Sequence, residues 1–114
     1  MEILFDERGN LSGKSPIEVD LETFEKYFVF NEHRKMLFGN YMLYVERLKK
    51  YTLQTPFYQW LDGSYMSSHA EPKDIDIVTF VSPSIYEEYI SKENTLKSPH
   101  TEKEFQLDCY FVKQ

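Results

Sequence analysis

One segment limits the fold more than any other: Asp74-Ile75-Asp76-Ile77-Val78-Thr79-Phe80-Val81. Pro72 lies before it and Ser82-Pro83 after it, and the apolar run between them predicts a β-strand from Ile75 to Val81. Two carboxylates sit at the mouth of that strand. Side chains two residues apart on a strand point to one face, about 6.5–7 Å apart along the chain, so Asp74 and Asp76 can converge on one ligand. Ile75, Ile77 and Val78 surround them with apolar surface, where an unpaired carboxylate is costly to bury. A hard cation, which takes oxygen ligands, is a counter-charge that suits this pattern.

A third acid belongs to the same pattern. Phe105–Val112 predicts the last strand, with Phe105, Leu107, Cys109 and Phe111 alternating with Gln106, Asp108 and Tyr110. If that strand lies beside the one carrying Asp74 and Asp76, three carboxylates share a face. The other element is Trp60-Leu61-Asp62-Gly63-Ser64, where a short strand (Phe57–Leu61) breaks into a Gly-Ser turn and a short helix follows over Tyr65–His69. Glycine lets backbone approach a ligand closely, and exposed amides at a helix start bind phosphate. Each piece alone has a plain reading: a tight turn, a solvated strand end, an edge charge. A chain with 19 acidic residues contains such pairs by chance. Their coincidence is what points to a site.

The rest of the chain supplies a scaffold. Residues 2–19 read as irregular or weak β structure around a turn at Glu7-Arg8-Gly9-Asn10. Asp20 can cap a helix whose Leu21, Phe24, Tyr27 and Phe28 share a face. Asn31 caps a longer helix to about Lys50, with Leu37, Tyr41, Tyr44, Val45 and Leu48 as its buried stripe and Lys49 and Lys50 at its C-terminus. Pro56 ends any helix there. Ser82 and Pro83 open a helix of roughly ten residues with Ile85, Tyr89 and Ile90 inward. The polar stretch Ser91–Lys103 is expected to be a flexible loop. Two helices, then β, β, α, β, make an α+β or small α/β domain: one mixed sheet with helices against it. A chain of 114 residues fits a single domain, 1–114, with N-terminal helices over 1–55 and the sheet core over 56–114.

Charge and cysteine content narrow the function. Thirteen Lys+Arg against 19 Asp+Glu leave a net charge of −6, which argues against a general nucleic-acid binder. The one cysteine, Cys109, excludes an internal disulfide and reads as a small buried hydrophobe, and no Cys/His spacing suggests zinc. Met-Glu-Ile-Leu-Phe-Asp is too short and acidic for a signal peptide, and no apolar run approaches a membrane span, so the expected compartment is cytoplasm. His69 lies in the spacer between turn and acid pair and could touch a ligand, with an exposed loop histidine as the plainer reading. Lys73 is a candidate phosphate contact, with a surface lysine as the alternative. Asp62 could orient the turn amides, or be an ordinary strand-end residue. His33 and His100 have no partners in the pattern.

The arrangement resembles the polymerase-beta-like nucleotidyltransferase superfamily, whose signature is an apolar strand, Gly-Ser, a spacer and then Asp-x-Asp or Asp-x-Glu. Here that reads Leu61-Asp62-Gly63-Ser64, nine residues, Asp74-Ile75-Asp76, with Asp108 in Gln106-Leu107-Asp108-Cys109 as the later-strand acid. The front half, with its Gly-Asn-Leu turn, paired helices and Pro-Lys-Asp-Ile-Asp segment, is also similar to little-characterised bacterial proteins of this fold. The resemblance implies a nucleotidyltransferase fold with two Mg²⁺ ions held by Asp74, Asp76 and Asp108. One ion would grip the triphosphate and the other would activate an acceptor hydroxyl. Gly63, Ser64 and Lys73 would meet the phosphates. The substrate would be an NTP such as ATP, and the acceptor a protein side chain, a tRNA end or a small molecule. The alternative is a catalytically weak or inactive binding or regulatory module, such as a toxin–antitoxin or defence component, working with a partner chain.

Overall fold

The computed structural model describes residues 21–52, 57–67 and 70–114. Within them the order is α1 (Leu21–Phe28), α2 (Glu32–Tyr51), β1 (Tyr58–Asp62), β2 (Ile75–Val81), α3 (Pro83–Ile85), α4 (His100–Phe105) and β3 (Leu107–Lys113). Short 3-10 turns occupy Ser64–Met66 and Asn94–Leu96, and a π-helical turn, Tyr86–Ile90, continues α3. The arrangement is α+β: one mixed three-stranded sheet, order β1-β2-β3, with helices packed against it and two helices ahead of it. The expected weak β structure at 2–19, the Asp20 cap, the helix stop at Pro56 and His69 fall outside the described residues.

The second helix starts where its cap dictates. Asn31 is extended (φ −150°) and its side-chain oxygen accepts from the Arg34 amide at 2.8 Å, satisfying one of the orphan donors of a helix start. Leu37, Tyr41, Tyr44 and Leu48 are buried as their spacing predicts, and Val45 packs at the margin. Arg34 is buried with them, which the periodicity does not reveal. The α1 helix adds Phe24 and Phe28, with ring centroids 5.1 Å apart, while Leu21 stays exposed.

The central strand is β2, antiparallel to β1 and parallel to β3. Ile75, Ile77, Thr79 and Val81 are buried, and the residues between them are not. In β3, Leu107 and Cys109 fall on the covered side, in register with Ile75 and Ile77. Across this face lies α2: Tyr44 donates to the Leu96 carbonyl at 2.8 Å, Tyr41 hydrogen-bonds Gln59 of β1, and Asn40 donates to the Phe105 carbonyl at 2.9 Å.

Three expectations need correction. Ser91–Lys103 is not a loose loop. Leu96 and Thr101 are buried, Lys97 Nζ donates to the Ser91 carbonyl at 2.6 Å, and the stretch ends in α4. Phe105 closes that helix rather than opening β3, because Gln106 turns left-handed (φ 58°) and restarts the chain as a strand. The helix after Ser82 begins as expected, with Ser82 accepting from the Ile85 amide and Pro83 in the first turn. It then widens to π spacing, with the Ser91 amide donating to Tyr86 at 2.7 Å. That wider turn leaves Tyr89 exposed and sends Tyr86 inward against Phe111, ring centroids 6.0 Å apart.

Candidate functional site

Strand direction brings the acids to one end of the sheet. Asp62 closes β1, Asp76 is the second residue of β2 and Asp108 the second of β3. Because β1 runs against β2 and β3 runs with it, these positions fall level: Asp62 pairs with Asp76, and Asp76 pairs with Asp108. All belong to the alternate set that faces away from the core. Asp74 lies two residues ahead of Asp76, just outside the strand. Partial burial first, then the charges of Asp74, Asp108, Asp62 and Glu102, push the Asp76 carboxyl up to about 6.

Asp108 is held by its neighbours. Ser98 donates to Asp108 Oδ1 at 2.6 Å, and Ser98 Oγ accepts from the Cys109 amide at 2.9 Å. The Ser98 amide in turn donates to the Cys109 carbonyl at 3.1 Å, so the serine is clamped on both sides. Burial pushes the Asp108 carboxyl up, but hydrogen bonds from Ser98, Glu102 and Tyr110 outweigh it and hold the group below its usual range. Glu102 moves the opposite way, chiefly because of its hydrogen bond with Asp108. Neither Ser98 nor Glu102 is visible as a site residue in the sequence. A strand expected to begin at Phe105 hides the tight turn at Gln106 that folds α4 back beside β3.

The turn after β1 is built around Gly63, whose φ is +82°. A Cβ placed there would lie 2.6 Å from Asp76 Oδ2, so only glycine lets the turn sit against that carboxylate. Asp62 Oδ1 accepts from the Gly63 amide at 2.8 Å. The expected helix over Tyr65–His69 is a single 3-10 turn, Ser64–Met66, closed by the Met66 amide on the Gly63 carbonyl at 3.0 Å. Arg34 anchors that turn from behind. Its guanidinium donates to the carbonyls of Phe28 (2.9 Å), Tyr65 (2.7 Å) and Ser67 (2.6 Å), and it lies over the Phe30 and Tyr65 rings at 4.3 and 4.7 Å. Burial lowers its pKa. Lys73 is exposed beside Asp74.

The donor set is oxygen only. Among the described residues no three Asp, Glu, His or Cys side chains are drawn together as a ready metal cage. Mg²⁺ rarely requires one, since it is usually held by one or two carboxylates with water and substrate phosphates. A row of carboxylates with mutual repulsion at its centre fits a hard cation that arrives with phosphate. A separate hollow of about 480 Å³, bounded by Arg47, Thr95, His100, Lys103 and Glu104, does not include the acids. There Glu104 takes two hydrogen bonds from Arg47, at 2.7 and 2.6 Å, and one contact with His100 at 3.0 Å. Those pairs tie Arg47, His100 and Glu104 together as structural contacts. No helix among the described residues is long and apolar enough to cross a membrane.

The class so defined is a small α+β domain with a carboxylate row at one end of a mixed three-stranded sheet. Comparison with protein families takes this one step further. A family model described as "Family of unknown function (DUF6932)" matches residues 3–114, and the chain belongs to that family. No curated protein and no solved structure matches it.

Proposed function

We propose that this chain is an Mg²⁺-dependent nucleotidyltransferase domain, moving a nucleoside monophosphate from ATP or another NTP to a hydroxyl group. The observation that carries this reading is the level row Asp62–Asp76–Asp108 set against the glycine turn. The Gly-Ser…Asp-x-Asp resemblance supports it independently. In this reading Asp74, Asp76 and Asp108 hold the metal, which supplies neutralisation of phosphate charge and eases loss of the hydroxyl proton. Gly63 lets backbone reach the phosphates, and Ser64 and Lys73 add a donor and a cation. Ser98 keeps Asp108 in one orientation. Repulsion among the acids favours any cation that enters the row. Catalysis is then positioning plus charge neutralisation, with no covalent intermediate on the protein.

The acceptor is a protein side chain, a tRNA end or a small molecule. The cytoplasm is the compartment that goes with this reading. Thermal unfolding tests it. Mg²⁺ or Mn²⁺ with ATP should raise the melting temperature more than either alone, because a ligand that binds only the folded state stabilises it. Asp76→Asn should abolish that synergy, and an equal response in wild type and variant would sink the metal–nucleotide site. The exposed apolar side chains on the sheet's open face favour one second reading, a non-catalytic binding module of the same fold.

A further inference from the structure

The carboxylate row is the end row of a larger surface. Two more register rows follow on the same face: Trp60, Val78 and Tyr110, then Tyr58, Phe80 and Val112. Four of these six are open to solvent, with Tyr58 74%, Trp60 54%, Tyr110 54% and Val112 42% exposed. Trp60 stands against Phe80 edge-to-face, ring centroids 5.0 Å apart. Exposed aromatic side chains on β1 and β3, with half-buried Val78 and Phe80 between them on β2, are unusual for surface left idle, since contiguous apolar patches mark binding sites.

What lies beside this patch identifies its occupant. Trp60 is two residues from Asp62, and Tyr110 two from Asp108, whose carboxylate also takes a hydrogen bond from the Tyr110 hydroxyl. The patch and the acids are therefore one continuous surface. None of the six residues is a lysine or arginine. A nucleic-acid strand needs cations that track its backbone as well as aromatic rings for its bases. A single nucleotide needs cations only at its phosphate end, which is the end the acids and a metal would hold. Its base is a flat ring that stacks on aromatic side chains whatever its sequence identity.

We propose that the open face around Trp60 and Tyr110 is the seat of the nucleobase of the NTP, beside the carboxylate row. This rests on the nucleotidyltransferase reading and adds where the base goes. Trp60 is the single tryptophan of the chain, so its emission reports this face alone. Emission excited at the red edge, where adenine does not absorb, should change when Mg²⁺–ATP is added and stay constant with Mg²⁺–tripolyphosphate. By calorimetry, Trp60→Ala should weaken ATP about tenfold, as loss of one base–aromatic stack does, and leave tripolyphosphate affinity unchanged. Trp60→Phe should restore most of the ATP affinity.

The outcomes separate cleanly. If ATP binds in an Asp76-dependent way with no change at Trp60, the base lies elsewhere and the inference fails while the enzyme reading stands. If Trp60→Ala weakens both ligands equally, the residue supports the fold and not the base, and the inference again fails. If Trp60 emission shifts with protein concentration alone, a second copy covers the face and the inference is overturned. If neither ligand binds with any metal, both readings fall together.

Discussion

The two faces of the sheet come from alternate residues of the same strands and carry opposite chemistry. On the covered face β2 contributes Ile75, Ile77, Thr79 and Val81, and β3 adds Leu107 and Cys109, all buried. Even the polar groups are satisfied there: among the described residues no buried side-chain nitrogen or oxygen lacks a partner. On the open face the intervening residues place Asp62, Asp76 and Asp108 side by side and leave Trp60 and Tyr110 in water. One face relieves every unfavourable contact, while the other gathers like charges and exposes apolar rings. The lesson is that the repulsion is confined to a single surface of an otherwise well-satisfied domain. Stability alone gives no reason to keep such a surface, whereas a function that trades stability for binding does.

The strongest way to break this contrast is to truncate neighbours on opposite faces. Ile77→Ala should lower the unfolding free energy by about 3 kcal/mol, since it opens a cavity in a packed core. Val78→Ala, one residue along, should lower it by about 1 kcal/mol or less. Urea midpoints measure both, and equal losses would mean that the open face is packed as well. A smaller effect is expected where the faces meet the turn. Gly63→Ala should destabilise by about 1–2 kcal/mol, from a left-handed backbone that disfavours a side chain and from displacement of Asp76. A neutral result would show that the turn has room to move.

The smallest effect concerns pH. The Asp76 carboxyl is pushed up to about 6 in the folded chain from its ordinary 3.8, so between those values the native state holds more protons than the unfolded one. Its contribution therefore destabilises the protein above pH 6 and fades as pH falls toward 4. Solvent screening reduces the worth of the shift to roughly 1 kcal/mol. Asp76→Asn should be more stable than wild type near pH 7, and the difference should shrink below pH 5. A difference that grows on acidification would reverse the assignment and sharpen the contrast in the other direction.

The legible parts of this molecule were those where one local pattern decides. Asn31 announces α2, Ser82-Pro83 announces α3, and the apolar run between Pro72 and Ser82-Pro83 gives Ile75–Val81 at both ends. Asp76 and Asp108 could be matched because two-residue alternation fixes their face once the strands pair. Tertiary effects stayed hidden. Arg34 sits in a polar helix start and nothing nearby in sequence says that its guanidinium will be buried against three carbonyls. Glu102 and Ser98 lie in a stretch whose polarity suggests a loop, and they reach Asp108 only because Gln106 reverses the chain. The exposed face was equally obscure, since Trp60 and Tyr110 become surface neighbours only through the register of strands far apart in the chain.

That register has a consequence for how the row comes and goes. The β1 and β2 strands meet across a short connection, whereas β3 reaches β2 only after the chain has passed through α3, the π turn and α4. Parallel neighbours always require such a crossover, and contacts of long sequence separation are slow to form. Asp62 and Asp76 are thus a pair of short sequence separation, whereas Asp108 joins them through a pairing of long sequence separation, on a strand that is outermost among the described residues. The three-acid row is therefore complete only when the β2–β3 pairing has formed as well as the β1–β2 pair.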